Sequence, residues 1–387
     1  MSSLRLQALR AKHGDSLLLF AQGAKVLIDG GPSGVYNQTL RDHLLTLERD
    51  GEDQPRIDLL MVSHIDADHI DGVLDLTAEL IESREEEREP IVRIDRAWHN
   101  SFSDMIALGG AETSARVRAR AASVASVFEE LSGAAFDPAE SSLVLASVAQ
   151  GRQLRLDLKA LNIDINKRFS DRVALQDGAP EPWECGELSL TVIGPTHDEL
   201  DDLREEWKKQ LDKILARDKA AATASAAKLD RSVANLSSIV AIAEAGGKSA
   251  LLTGDARGDM ILKWLADTGR LDRSGKAHFD ILKLPHHGSD RNVSLEFFQR
   301  VTADHYVVCG NGGHGNPEPA TLAMLFEARP DLGFRLHMTY GPDELKQNRK
   351  FKKVGNVANL DEVLSHPGRE DVLRFPGDGE TFVEIAV

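Results

Sequence analysis

Residues 63 to 72 read SHIDADHIDG, which sets Asp66, Asp68 and Asp71 among His64 and His69 directly after the apolar run IDLLMV. Carboxylates packed this densely repel one another and raise each other's pKa unless positive charge sits among them. A bound cation supplies that charge, and imidazole mixed with carboxylate suits zinc, manganese or iron. Three further stretches have the same character: Asp29 in LIDGG, Asp255 in LLTGD and His286-His287 in LPHHGS. The only cysteines are Cys185 and Cys309, so neither a thiolate zinc knot nor a disulfide framework is available. An ion held this way, with coordination positions left open, lowers the pKa of bound water to about 7. Asp68 and Asp255 are the carboxylates suited to bridge or orient that water.

The elements that must bring these stretches together share one grammar, an apolar strand ending in Asp, His, Asn or Gly. LRLQAL, SLLLF and KVLIDGG read as strands, with Gly14 and Gly23 as turns. IDLLMVSH is a continuous apolar run that predicts a strand buried on both faces, followed by a helix over DGVLDLTAELIESREEEREP. VRIDRAWHN, ELSLTVIGPTH, FDILKLPHHGS, DHYVVCGNG, EDVLRFP and TFVEIAV predict further strands, and SSIVAIAEA with KSALLTGD forms a hairpin across a GG turn. Active sites of layered α/β proteins gather at such strand ends. The reading is a single α/β domain over 1–387, with helical insertions at 103–180 and 198–232.

Charge and hydropathy exclude some roles. With 46 basic against 62 acidic residues the net charge is −16, which argues against a protein that coats nucleic acid or anionic membrane through its whole surface. No run reaches the about 20 apolar residues of a membrane span, and the start carries no signal-peptide pattern. A soluble, cytoplasmic protein with no membrane partner is expected.

In their order, LIDGG, the HxDxDH motif, LLTGD and a late strand ending in His resemble the metallo-β-lactamase superfamily. Within it the chain is most similar to the soluble nuclease-type domain of ComEC DNA-uptake proteins, through HGDSLLL, SHIDADHIDG, NLSSIVAIAEAGGKSALLTGD, DILKLPHHGS and GNGGHGNP. The resemblance implies a four-layered αββα sandwich with one or two divalent ions at one edge of the sheets, Zn²⁺ first and Mn²⁺ second. It implies that His64, Asp66 and either His197 or His99 hold metal one. Asp68, His69 and His286 or His287 then hold metal two, with Asp255 bridging and His286 preferred. His287, Ser289 and Lys283 become candidates to contact a phosphate or protonate a leaving oxygen. Asp29 supports the metal loop, Asn235, Ser237 and Ser238 line the floor, and His314 stands in for a histidine where Asn316 precedes the proline. The superfamily usually has His at the second motif position; Asp66 is shared with the nuclease-type branch, and the Glu of redox di-iron members is absent.

Two metals suit phosphodiester hydrolysis, because both neutralise charge on the attacked phosphate and leaving oxygen. The expected function is therefore a metal-dependent nuclease or phosphodiesterase acting on DNA, with KQNRKFKK at 346–353 and RVRARA at 116–121 as basic contacts. The alternatives are a hydrolase of lactones, thioesters or β-lactams, and an effector regulated by a protein partner that binds the acidic surface or the 103–180 insertion.

Overall fold

Apolar residues on both faces of a strand mean that both faces are covered. In β2 (Leu17–Ala21), Leu18 and Phe20 point to one buried cluster while Leu17 and Leu19 point to another. The computed structural model describes residues 4–49, 51–100, 141–169, 172–176, 180–203, 205, 237–352 and 357–387. The first sheet contains β1 (Leu4–Leu9), β2, β3 (Ala24–Ile28), β5 (Leu59–Met61), β7 (Arg96–Trp98), β8 (Asp164–Ile165) and β17 (Phe382–Ala386), in the order β17-β1-β2-β3-β5-β7-β8. A short ribbon pairs β4 (Arg56–Ile57) with β6 (Arg93–Ile94). The second sheet runs β16-β15-β14-β13-β12-β11-β10-β9. Its strands are β9 (Trp183–Cys185), β10 (Leu188–Gly194), β11 (Val240–Ala245), β12 (Lys248–Leu252), β13 (Ala277–Lys283), β14 (Val301–Val308), β15 (Arg335–Met338) and β16 (Leu373–Arg374).

Three apolar clusters separate four layers. One joins the facing sides of the two sheets, with Leu6, Leu19, Val26 and Met61 opposite Leu190, Ala241, Leu252 and Ile281. A second packs the first sheet under α1 (Arg41–Leu45), α2 (Ala67–Glu85) and α3 (Ser141–Ala160), through Leu44, Val73, Leu76, Leu154 and Leu158. The third packs the other sheet under α4 (Gly258–Asp267), α5 (Leu295–Arg300), α6 (Pro319–Ala328) and α7 (Val357–Leu364), through Trp264, Phe297, Leu322 and Leu360. The expected α/β class with mixed sheets is thus observed, and the layering is αββα. No helix among the described residues is long and apolar enough to cross a membrane.

Two local results differ from the sequence reading. The helix expected from residue 71 begins at Ala67, with Asp66 in extended conformation at its N-cap and Asp68 in its first turn. Carboxylates favour that end because its backbone N–H groups and dipole are positive, so half of the HxDxDH motif is helical rather than a free turn. Residues 141–165, inside the 103–180 span expected to be an insertion, supply α3 and the edge strand β8. Thr77 of α2 donates to Asp157 Oδ2 of α3 at 2.9 Å, which ties α3 into the outer layer. RVRARA, Asn235 and the remainder of 198–232 beyond residue 205 lie outside the described residues.

Close backbone approaches explain two glycines of the motifs. A Cβ on Gly14 would stand 1.8 Å from the Asp68 carbonyl, and one on Gly72 would stand 2.0 Å from the Gly30 carbonyl. The HGDS turn and the LIDGG turn therefore lie directly against the first turns of α2, where only glycine leaves room.

Candidate metal centre

Parallel pairing of β3 with β5 and of β12 with β13 puts four strand ends on one side of the sandwich. Asp29 follows β3, His64 follows β5, Asp255 follows β12, and His286 with His287 follow β13. Asp15 reaches the same place from the turn between β1 and β2. Asp15, His69, Asp255 and His287 are all buried and bring donor atoms within 4.8 Å of one another.

Hydrogen bonds decide which ring nitrogen of each histidine carries its proton. Asp29 accepts from the Ser63 amide at 2.7 Å, from the Ser63 hydroxyl at 2.7 Å and from His69 Nδ1 at 2.8 Å. The Ser63 hydroxyl proton is spent on Asp29, so Ser63 Oγ accepts from His64 Nδ1 at 3.1 Å. His287 Nδ1 donates to Asp15 Oδ1 at 3.0 Å. Each Nε2 is thereby left with a lone pair turned inward, the arrangement that orients metal-binding imidazoles elsewhere.

What those lone pairs meet is more lone pairs. His69 Nε2 lies 3.3 Å from Asp255 Oδ1, and His64 Nε2 lies 3.8 Å from Asp255 Oδ2 and 3.7 Å from Asp66 Oδ2. His287 Nε2 lies 3.4 Å from Asp68 Oδ2 and 3.6 Å from Asp255 Oδ2. Nε2 of His64, His69 and His287 and Oδ1 of Asp255 are buried without a hydrogen bond. Buried polar atoms without partners are expensive and need an explanation. A divalent ion coordinated by imidazole and carboxylate satisfies all of them, and these residues fit one. Asp15 plays a different part: it meets His287 at the nitrogen that holds the proton and pairs its other oxygen with Lys283. It orients a ligand rather than being one.

Electrostatics follow the same crowding. Burial would push the Asp255 carboxyl up, but His286, His287, His69 and His64 outweigh it and hold it well below the usual range. Burial likewise opposes ionisation of Asp68 and Asp15, yet His69 and His287 hold Asp68 down, and Lys283 and His287 hold Asp15 down. Burial lowers His287, but Asp255 and Asp15 raise it to about 9. Without an ion, protons do the work of the missing positive charge; a metal competes with them for the same lone pairs.

The other expected residues have distinct placements. Lys283 is 1% exposed, and its ammonium is committed to Asp15 and, at 2.9 Å, to the Gly254 carbonyl. It braces the site from behind. His286 Nε2 lies 3.4 Å from Asp255 Oδ2. Ser238 Oγ accepts from the Asp255 amide at 3.2 Å, while Ser237 and Ser289 are buried nearby in sequence. Asn316 donates to the His286 carbonyl at 3.2 Å. His314 is exposed and stacks on His13 at 4.0 Å between ring centroids, where burial and His314 lower His13 to about 4. His197 is half-buried at the start of a short helical segment and His99 is fully buried. Among the described residues neither has an ion pair or ring contact with the cluster. In KQNRKFKK, Lys346 is paired with Asp343 and Asp361, and Arg349 is buried with its guanidinium on the Gly315 and Pro317 carbonyls. The side chains of Lys350, Lys352 and Lys353 lie outside the described residues.

Sequence reasoning missed Asp15, Asn292 and His13. The HGDS stretch carries part of the family resemblance, and its Asp, next to a glycine turn, is the available signal. Asn292 carried none. At the rim, burial and Asp290 push the Glu318 carboxyl up to about 7. A carboxyl raised on folding stabilises below its unfolded value near 4.3 and loses that contribution as pH rises through about 7. Glu318→Gln keeps a permanent N–H for Asp290. Its melting temperature relative to wild type should therefore rise steadily from about pH 5 to about pH 8, measured by scanning fluorimetry; parallel curves would remove the shared proton.

Two facing sheets with imidazoles and carboxylates at one shared edge define an αββα protein with a cluster that could hold a metal ion. Comparison with known families supports the same class: residues 9–143 match the family described as Metallo-beta-lactamase superfamily, a segment that includes β2, β3, β5 and the HxDxDH motif. Over 93 residues, 24% of this chain, the sequence is 33% identical to human microtubule-associated protein 1A, of which it spans 3%. The rat protein of that name is 36% identical over 66 residues, 17% of this chain and 2% of that protein. Among solved structures, a putative metal-dependent hydrolase from Parabacteroides distasonis is similar at 11% identity and TM-score 0.36, covering 86% of this chain and 92% of that one. The metallo-beta-lactamase fold protein YhfI from Bacillus subtilis has 9% identity and TM-score 0.38, covering 100% of both chains. The short form of human tRNase Z has 9% identity and TM-score 0.33, covering 87% and 92%.

Proposed function

We propose that this protein is a metal-dependent hydrolase whose substrate is a phosphodiester, with DNA as the first candidate. The observation that supports it is the set of inward-facing lone pairs on His64, His69, His287 and Asp255, enclosed by Asp66 and Asp68. Bound divalent ions would supply Lewis acidity and lower the pKa of a water molecule there. Asp68, ionised and partly exposed, would accept a hydrogen bond from such a water. Asp29, Ser63 and Asp15 hold the imidazoles, and Lys283 fixes Asp15. The carboxylate at position 66 and the HGDS and PHHGS stretches also favour the ComEC-type nuclease likeness.

A second reading is a hydrolase of small lactones or thioesters. It is favoured by Lys346 and Arg349, which are occupied within the fold rather than offered to a polyanion. The deciding experiment loads the purified protein with Mn²⁺, Mg²⁺ or Zn²⁺ and offers plasmid, single-stranded DNA, RNA, an aryl phosphodiester and a lactone and thioester panel. Metal-dependent phosphodiester cleavage is expected, with Asp68→Asn slower by at least about a hundredfold. Lactone turnover without phosphodiester cleavage would overturn the first reading.

A further inference from the structure

His286 and His287 are consecutive, and both adopt left-handed backbone conformations, with φ 47° and ψ 50° for the first and φ 53° and ψ 20° for the second. Residues other than glycine visit this region at a cost, and such strain persists where the surroundings enforce it. Here the His286 amide donates to the Gly254 carbonyl at 3.2 Å, and the His286 carbonyl accepts from the Ser289 amide at 2.9 Å and from Asn316. The result is unusual for neighbours in sequence. The two rings stand 5.8 Å apart at 75°, yet both Nε2 atoms approach Asp255 Oδ2, at 3.4 Å and 3.6 Å.

The tautomer of His286 is set as firmly as that of His287. Asn292 donates through Nδ2 to the Asp255 carbonyl at 2.9 Å, so its Oδ1 is the atom facing His286 Nδ1 at 2.8 Å. An amide oxygen only accepts, so His286 Nδ1 donates and its Nε2 lone pair faces Asp255. The surroundings of the two rings then differ. His287 Nε2 also faces Asp68, and its ring lies 5.1 Å from that of His69. His64 Nε2 faces Asp255 Oδ2 and Asp66 Oδ2.

Resting on the metal-hydrolase reading above, we propose that the two histidines serve two different metal ions. His287 joins Asp68, His69 and Asp255 in one site. His286 joins His64, Asp66 and Asp255 in the other, where it supplies the third protein side chain expected from His197 or His99. One dipeptide thus completes both sites, and the left-handed turn is the device that splits its two side chains. Asn292 is the positioning residue that commits His286 to this role.

The test counts metals rather than turnover. Wild type, loaded with Zn²⁺ or Co²⁺ and desalted, should hold two ions per chain by elemental analysis. His286→Ala and His287→Ala should each hold one, and their residual Co²⁺ spectra should differ because the remaining ligands differ. His64→Ala/His286→Ala should still hold one ion, since both changes remove the same site, whereas His69→Ala/His286→Ala should hold none. Asn292→Leu, which leaves every ligand in place, should weaken one calorimetric binding step by about ten- to a hundredfold and spare the other. Two ions held with unchanged affinity in His286→Ala, or none held in His64→Ala/His286→Ala, would overturn the division of labour. Wild type that binds no ion would instead sink the metal reading beneath it.

Discussion

Asp255→Asn should empty the centre and abolish hydrolysis while leaving the metal-free fold intact. Among the described residues, Asp255 is the one carboxylate that meets Nε2 of His64, His69, His286 and His287 together. Losing it removes a ligand from both candidate sites, so turnover should fall by well over the roughly tenfold to hundredfold seen when only a supporting hydrogen bond is lost. The metal-free protein keeps its fold but loses stability. Burial opposes the Asp255 charge, yet the histidines around it hold the carboxyl well below its usual range. The charge therefore stabilises the folded state at neutral pH, and the melting temperature without metal should drop. Added Zn²⁺ or Mn²⁺ should raise the wild-type melting temperature, because an ion that binds only the folded state stabilises it. It should leave the variant unmoved. Elemental analysis and melting curves with and without metal check both halves, and a variant with wild-type metal content would remove Asp255 from the site.

The largest stability effect is expected at Lys283. Its ammonium and the Asp15 carboxylate are each 1% exposed, and they pair in contact at the base of the centre. Lys283→Met keeps the length of the side chain but leaves Asp15 a buried anion without its ammonium, beside His287 and His69. Breaking a buried pair from one side costs about 3–5 kcal/mol, enough to unfold many domains. Asp15 is held below its ordinary range in the folded state, so it contributes stability above about pH 4 and loses it as pH falls further. In Lys283→Met that contribution should shrink, so the gap between variant and wild type should narrow on acidification. Denaturant unfolding at neutral and acid pH measures both effects. A double variant with Asp15→Asn should cost less than the sum of the two single changes, because the charge left without a partner is gone. Strict additivity would mean that the two residues do not act as a pair.

Much of this protein is written locally in its chain. Apolar runs such as LLLF and IDLLMV specify strands covered on both faces, and polar residues at their ends mark where those strands stop. HxDxDH announces a metal by residue type alone, since no other common role collects those side chains within six positions. The GG and DG pairs signal close backbone approach before any coordinates exist. What the chain alone could not decide was the arrangement of groups far apart in sequence. Asp15 and Lys283 become partners only when the first and second sheets close on each other. The same closure turns Lys283 inward, away from the substrate contact that its place beside PHHGS suggested. The family resemblance nominated His197 or His99 for the first site, and the described contacts bring neither to the cluster. HHG offers two histidines and cannot say where either points, because their directions follow from backbone angles that Gly254, Ser289 and Asn316 impose through hydrogen bonds. Residue type determined the chemistry; long-range packing decided which atoms face it, because a side chain's direction depends on neighbours that only the folded chain supplies.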